Sequence, residues 1–219
     1  VGTPAVKSWR ALAASGDISK IYGSGYEEYL FVTLNGGSNR TPRLPGGDWG
    51  TVSCSADGST VVGGMLPGGA YFSTDSASSF NQLEFGGNYW LSSAASGDGS
   101  LLVLGEYRGS LWLSKDNGAT WAQAAGLPGG DDSYWSAAAC SNDGTTVAAA
   151  EGSSGNIYVS NDKGATWKTT VTLPVETATP QICLTVSNDG KTIIAISSKA
   201  GVKVRISKDG GEAWIESAP

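Results

Sequence analysis

The groups in this sequence best placed to do chemistry are carboxylates, because they recur at regular places. Asp17, Asp57, Asp98, Asp143 and Asp189 form one series. Asp75, Asp116, Asp162 and Asp209 form a second, in which Asn35 holds the first place. Carboxylates in pairs serve as the acid and the base or nucleophile of glycoside hydrolysis. Every one of these aspartates, however, follows a Ser by two residues. A carboxylate set beside a hydroxyl and turn backbone groups exchanges hydrogen bonds with them, so both series read as turn formers. The acids left for a glycan-active enzyme are Glu27, Glu28, Asp131 and Asp132, all in loops. His is absent from the sequence, which removes Ser-His-Asp and Cys-His catalysis and the commonest metal ligand. Of the three cysteines, Cys54 and Cys140 share one register after Trp49 and Trp135, and Cys183 falls on the opposite strand face. They lack metal-ligand spacing and are read as buried free thiols. No catalytic residue, metal or cofactor is assigned, and the chain is not expected to be an enzyme.

The elements that carry these residues are set by the period. Ser114-Lys115-Asp116-Asn117-Gly118-Ala119-Thr120-Trp121 and Ser160-Asn161-Asp162-Lys163-Gly164-Ala165-Thr166-Trp167 are full copies of one run. Ser207 to Trp214 keeps its Ser, Asp, Gly and Trp, whereas Ser73 to Phe80 and the stretch from Thr33 are worn. The key positions 35, 75, 116, 162 and 209 are separated by 40, 41, 46 and 47 residues. A second ladder keeps step: Trp9, Trp49, Trp90, Trp135 and Gln181, each followed by a small-residue strand and a Ser-x-Asp turn. Such a period marks a repeat architecture. Asp-Gly between apolar runs signals a hairpin, and each repeat holds four short strand-like runs. A lone sheet cannot bury both faces, but sheets packed radially can. The expected fold is all-β: a five-bladed β-propeller of four-stranded antiparallel blades, one domain over 1–219 with blades at about 8–45, 46–86, 87–129, 130–175 and 176–219. Closure of the ring is left open between a fifth blade completed within its own repeat and a strand added from Val1–Val6.

Composition agrees. The 219 residues fill one five-bladed ring, and 32 glycines suit many turns. No helical period, membrane-spanning apolar run or signal peptide is seen. A net charge of −6 argues against nucleic acid, which asks for a basic footprint.

The Ser-x-Asp-x-Gly-x-Thr-Trp run resembles the Asp-box, or bacterial neuraminidase repeat, over the whole chain. The resemblance implies a propeller with the box on the turn between the third and fourth strands. It makes Asp75, Asp116, Asp162 and Asp209 structural, since the same box serves many activities. Sialidases share the box but need three arginines for the substrate carboxylate, and Arg10, Arg40, Arg43, Arg108 and Arg205 offer no such triad. Five-bladed glycosidases carry their acids on the inner strands, and the inner strands here hold none.

The opposite rim carries the linkers between blades and the loops between second and third strands. It gathers Trp49, Trp90, Trp135, Tyr89, Tyr134, Asp48, Asn88 and Asp132, with Tyr26, Tyr107 and Arg108 in the loops. Sugar C–H faces pack on aromatic rings and sugar hydroxyls pair with carboxylates and amides; the other reading of Trp9, Trp49, Trp90 and Trp135, each at the start of an inner strand, is as plugs in the wedge between blades. The first expectation is therefore a non-catalytic, lectin-like propeller with several shallow carbohydrate sites on this rim. A protein-interaction scaffold similar to photosystem assembly propellers is the alternative, and a glycan-active hydrolase the third reading. The glycosylation acceptor pattern Asn39-Arg40-Thr41 points to a secreted protein.

Overall fold

The computed structural model describes residues 9–25, 28–85, 87, 89–128, 133–175 and 181–217. Blade one comprises β1 (Trp9–Ala14), β2 (Ile21–Gly25), β3 (Glu28–Thr33) and β4 (Thr41–Gly47). Blade two comprises β5 (Trp49–Cys54), β6 (Val61–Met65), β7 (Ala70–Ser73) and β8 (Asn81–Gln82). Blade three holds β9 (Trp90–Ala95), β10 (Leu102–Glu106), β11 (Leu111–Ser114) and β12 (Ala122–Gln123). Blade four holds β13 (Trp135–Cys140), β14 (Val147–Glu151), β15 (Asn156–Ser160) and β16 (Lys168–Thr172). Blade five holds β17 (Ile182–Val186), β18 (Ile193–Ser197), β19 (Arg205–Ser207) and β20 (Ile215–Glu216). Each sheet is antiparallel and ordered as in the chain, the five-bladed propeller expected. Blade five is completed within its own repeat, by Ile206 pairing with Ile215. Val1–Val6 lies outside the described residues.

The second strands explain the radial packing. β6, β10 and β14 are buried at every residue, because each faces a neighbouring blade on both sides. Between blades three and four, Ala94, Leu101, Val103, Leu111 and Leu113 pack on Trp135, Val147 and Ala149. The outermost strands β8, β12 and β20 are two residues long and exposed, short edges that offer little to pair with.

Both turn series lie on one side of the disc. In the first, the Ser141 hydroxyl donates to Asp143 Oδ1 at 2.6 Å and accepts from the Thr146 N–H at 3.0 Å, while Thr145 N–H donates to Asp143 at 2.9 Å. In the box, the Ser160 hydroxyl donates to Asp162 Oδ1 at 2.7 Å and accepts from Gly164 N–H at 2.8 Å. Thr166 closes it, its N–H and hydroxyl donating to Asp162 at 2.8 and 2.6 Å. Gly164 stands at φ 72°, a conformation that glycine adopts without steric cost. The worn first copy repeats the plan, Thr33 hydroxyl to Asn35 Oδ1 at 2.9 Å. Box and turn of one blade are tied together, as by Lys163 N–H to Thr145 O at 3.0 Å.

Successive blades are stapled at the same level. Gly16 N–H donates to Ala56 O, Ala56 to Gly97 O, Gly97 to Asn142 O and Asn142 to Asn188 O, at 2.7–3.0 Å. Inner strands pack side by side, β1 on β5, β5 on β9, β9 on β13 and β13 on β17. Among the described residues, β17 and β1 have no comparable contact. The expected closed circle of five is therefore not formed by these strands.

Candidate binding rim

The inner strands enclose an axial channel with two ends of different chemistry. At the turn end a cavity of about 300 Å³ is lined by Leu12–Ala14, Val52–Cys54, Ser93–Ala95, Ala138–Cys140, Thr185 and Val186. Cys54 and Cys140 are free, half-buried thiols. Burial, helped by Asp57, pushes Cys54 up to about 11. Burial, with Asp98 and Asp143 nearby, pushes Cys140 up to about 12. Neither is a thiolate near neutrality, so neither is an activated nucleophile. Cys183 is exposed, which corrects the expectation of three buried thiols: its strand face has no blade over it.

At the linker end the mouth is wider, about 410 Å³, lined by Arg10, Gly50, Leu66, Leu91, Tyr134, Ser136 and Gln181–Cys183. Tyr134 connects this mouth to an aromatic ladder on the rim. Its ring meets Tyr107 edge-on at 5.2 Å, and Tyr107 meets Tyr89 edge-on at 6.1 Å. The Arg108 guanidinium lies 5.5 Å from the Tyr107 ring centre, within cation–π range. The backbone holds this group rigidly: Tyr107 N–H donates to Tyr89 O at 2.8 Å and Arg108 N–H to Ser133 O at 2.7 Å. Arg108 takes φ 57° to do so. Burial, then the neighbouring Tyr107, raise the Tyr134 phenol above its ordinary value of 10.0, so it stays a neutral donor.

Two buried acids support the loops beneath. Glu106, ending β10, accepts from the N–H groups of Gly87 and Ser110 and from Trp112 Nε1. Glu151, at the same place in β14, accepts from Tyr134 N–H at 2.9 Å, Ser153 at 3.1 Å and Ser154 at 2.7 Å. Burial alone would raise the Glu151 carboxyl, but these donors outweigh it and hold it below its ordinary value of 4.5. Both carboxylates tie linkers to loops. Two acids separated by one repeat could have signalled this in the sequence, since neither neighbouring blade repeats them.

The sequence-derived site divides. Tyr89 is exposed and Tyr134 half-buried, and both belong to the ladder. Asp48 is half-buried beside Trp49, its carbonyl accepting from Leu66 N–H. Asn88 and Asp132 lie outside the described residues, as do Tyr26, Glu27 and Asp131. Trp49, Trp90 and Trp135 correct the expectation of sugar-stacking rings, for all three are 0% exposed. Each plugs the wedge between its own blade and the one before; Trp90 lies on Gly64 and Trp135 on Gly105, where only a glycine leaves room. Tyr107 and Arg108, noted only as loop residues, are the additions. No group of three His, Cys, Asp or Glu that could hold a metal occurs among the described residues. Nor is any described helix long and apolar enough to cross a membrane.

A radial array of four-stranded sheets, with an ordered aromatic surface on the linker rim, defines a β-propeller. The Sortilin-Vps10 family (Sortilin, neurotensin receptor 3) matches residues 109–218, half of the chain, and the chain belongs to that family. Among solved structures it is similar to the GH74 enzyme of Niastella koreensis, with TM-score 0.72 and 20% identity over 100% of this chain and 32% of that one. It is similar also to YCF48 bound to D1 peptide, with TM-score 0.63 and 19% identity over 99% of this chain and 70% of that one. A nidogen/laminin complex matches with TM-score 0.66 and 10% identity over 95% of this chain and 78% of that one. The chain spans about a third of the length of the GH74 structures it resembles. No curated protein matches it.

Proposed function

We propose that this chain is a non-catalytic Asp-box propeller that binds an extended peptide segment of a protein partner on its linker-bearing rim. The observation that carries the reading is the Tyr89–Tyr107–Tyr134 ladder, with Arg108 at its edge, opening onto the axial mouth. Tyrosine and arginine are the residues that concentrate binding energy at protein interfaces. Rings fixed by backbone bonds lose little entropy on binding. Rings joined edge to edge in one ladder favour one continuous ligand over the repeated sugar sites expected from the tryptophans, whose faces are covered. Propellers of like fold that hold a peptide or a protein, YCF48 with D1 peptide and the nidogen/laminin complex, support the reading. So does a family whose description names a receptor, neurotensin receptor 3. The acceptor pattern at Asn39 supports an extracellular setting.

The test is selection from a displayed library of linear peptides, followed by calorimetry, with a glycan array in parallel. Peptides that bind at micromolar concentration and lose affinity tenfold or more on Tyr107→Ala are the expected result. Glycan binding without peptide binding would restore the lectin reading and end this one.

A further inference from the structure

The backbone beneath the tyrosine ladder is already bonded within the protein. The N–H of Tyr107 donates to Tyr89 O at 2.8 Å and that of Arg108 to Ser133 O at 2.7 Å. The N–H of Tyr134 donates to Glu151 Oε1 at 2.9 Å, and the Tyr134 carbonyl accepts from Gly152 N–H at 2.7 Å. A peptide that docks as an added strand needs a row of unpaired backbone groups, and these residues do not supply one. What they present instead is rings, phenol hydroxyls and a guanidinium. Tyr89, Tyr107 and Arg108 are exposed and Tyr134 is half-buried. Neighbouring rings stand at 76° and 85° to each other, so the surface is ridged rather than flat.

We infer that this rim recognises a proline-rich segment in the polyproline II conformation, with an acidic side chain beside its prolines. The inference rests on the peptide reading of the rim and names the class of peptide. Proline has no backbone N–H, so a run of prolines asks for no backbone acceptor, which suits a surface read by side chains alone. Polyproline II has no internal hydrogen bonds and turns its carbonyls outward, where phenol hydroxyls can donate to them. Its pyrrolidine rings fit between aromatic rings set on edge, and it is already extended, so little entropy is lost on docking. Steps of 5.2 and 6.1 Å between ring centres give room for roughly three residues at about 3.1 Å each. Arg108 calls for the acid. Its guanidinium lies 5.5 Å from the Tyr107 ring centre, and among the described residues no carboxylate forms an ion pair with it. A carboxylate at the end of the proline run would take charge-assisted bonds from that guanidinium.

Fluorescence anisotropy of the full chain with three labelled peptides tests this. The first is a run of six prolines followed by two aspartates. The second carries asparagines in place of the aspartates. The third keeps the aspartates and replaces the prolines with alternating glycine and serine. The first should bind at micromolar concentration and the third at least tenfold more weakly. Tyr107→Ala should weaken the first tenfold or more and Tyr89→Ala threefold or more, both with the Tm unchanged. Arg108→Asn keeps a residue that tolerates the left-handed backbone at φ 57°. It should bring the first peptide down to the affinity of the second and leave the second unchanged. Equal binding of the first and third peptides would reduce the attraction to charge and overturn the inference. An equal loss for the first and second on Arg108→Asn would overturn the pairing with an acid. Proline peptides that fail, beside a library-selected peptide without proline that binds and weakens on Tyr107→Ala, would overturn this inference and leave the peptide reading standing. If no linear peptide binds at all, both fall.

Discussion

At the scale of single residues, the repeated aspartates hold turns, and Tyr89 and Tyr107 face outward. Asp17, Asp57, Asp75 and Asp143 are held down at about 2 from the ordinary 3.8, by hydroxyl and backbone donors on the turn. Asp162 is held lower still, first by the Thr166 hydroxyl and N–H. A folded-state value below the unfolded one gives stability that is full above about pH 4 and lost as pH falls through the folded value. Thermal melts should therefore hold steady from pH 7 to about 4.5 and drop between about pH 4 and 2. A Tm unchanged across that window would show that the turn carboxylates contribute nothing. Asp162→Ala should lower the Tm by a few degrees, since four hydrogen bonds to a charged acceptor vanish, and calorimetry at neutral pH measures this directly. Trp135→Ala should cost about 3–5 kcal/mol in chemical denaturation, as expected for a buried indole replaced by a cavity. A cost below about 1 kcal/mol would place that ring at the surface after all.

At the scale of strands and loops, close approach of neighbouring blades depends on glycine in the second strand. A methyl group at Gly64 would collide with Cβ and Cγ of Trp90, so Gly64→Ala should destabilise the protein by about 1–3 kcal/mol through overpacking, read from urea melts. Glu151→Ala would leave the N–H groups of Tyr134, Ser153 and Ser154 without their acceptor, and amide exchange at those positions should quicken by tenfold or more. The strands and box turns were legible in the sequence because each rests on local contacts: Ser160, Asp162, Gly164 and Thr166 satisfy one another within seven residues. The Trp49, Trp90 and Trp135 positions were legible as a ladder that fits either a sugar-stacking rim or a plug between blades, and the choice between the two was not legible. Whether an indole faces solvent or a wedge depends on the preceding blade, some forty residues away. The Tyr107–Arg108 pair was hidden for the same reason, since it becomes part of a ladder only through bonds to two different linkers.

At the scale of the whole molecule, four interfaces are stapled at turn level and the opposite rim is left to present a rigid aromatic surface. Nearest-neighbour coupling of this kind makes stability a property of successive blade contacts. Changes at the turns should therefore propagate to melting, and changes at the rim should not. Titration of a selected peptide by calorimetry, beside the Tm of the same samples, compares Tyr107→Ala with Asp116→Ala most directly. The account predicts that Tyr107→Ala weakens binding at least tenfold with the Tm unchanged, and that Asp116→Ala lowers the Tm with affinity unchanged. Affinity lost with Asp116→Ala and kept with Tyr107→Ala would contradict it, by placing recognition on the turn side of the disc.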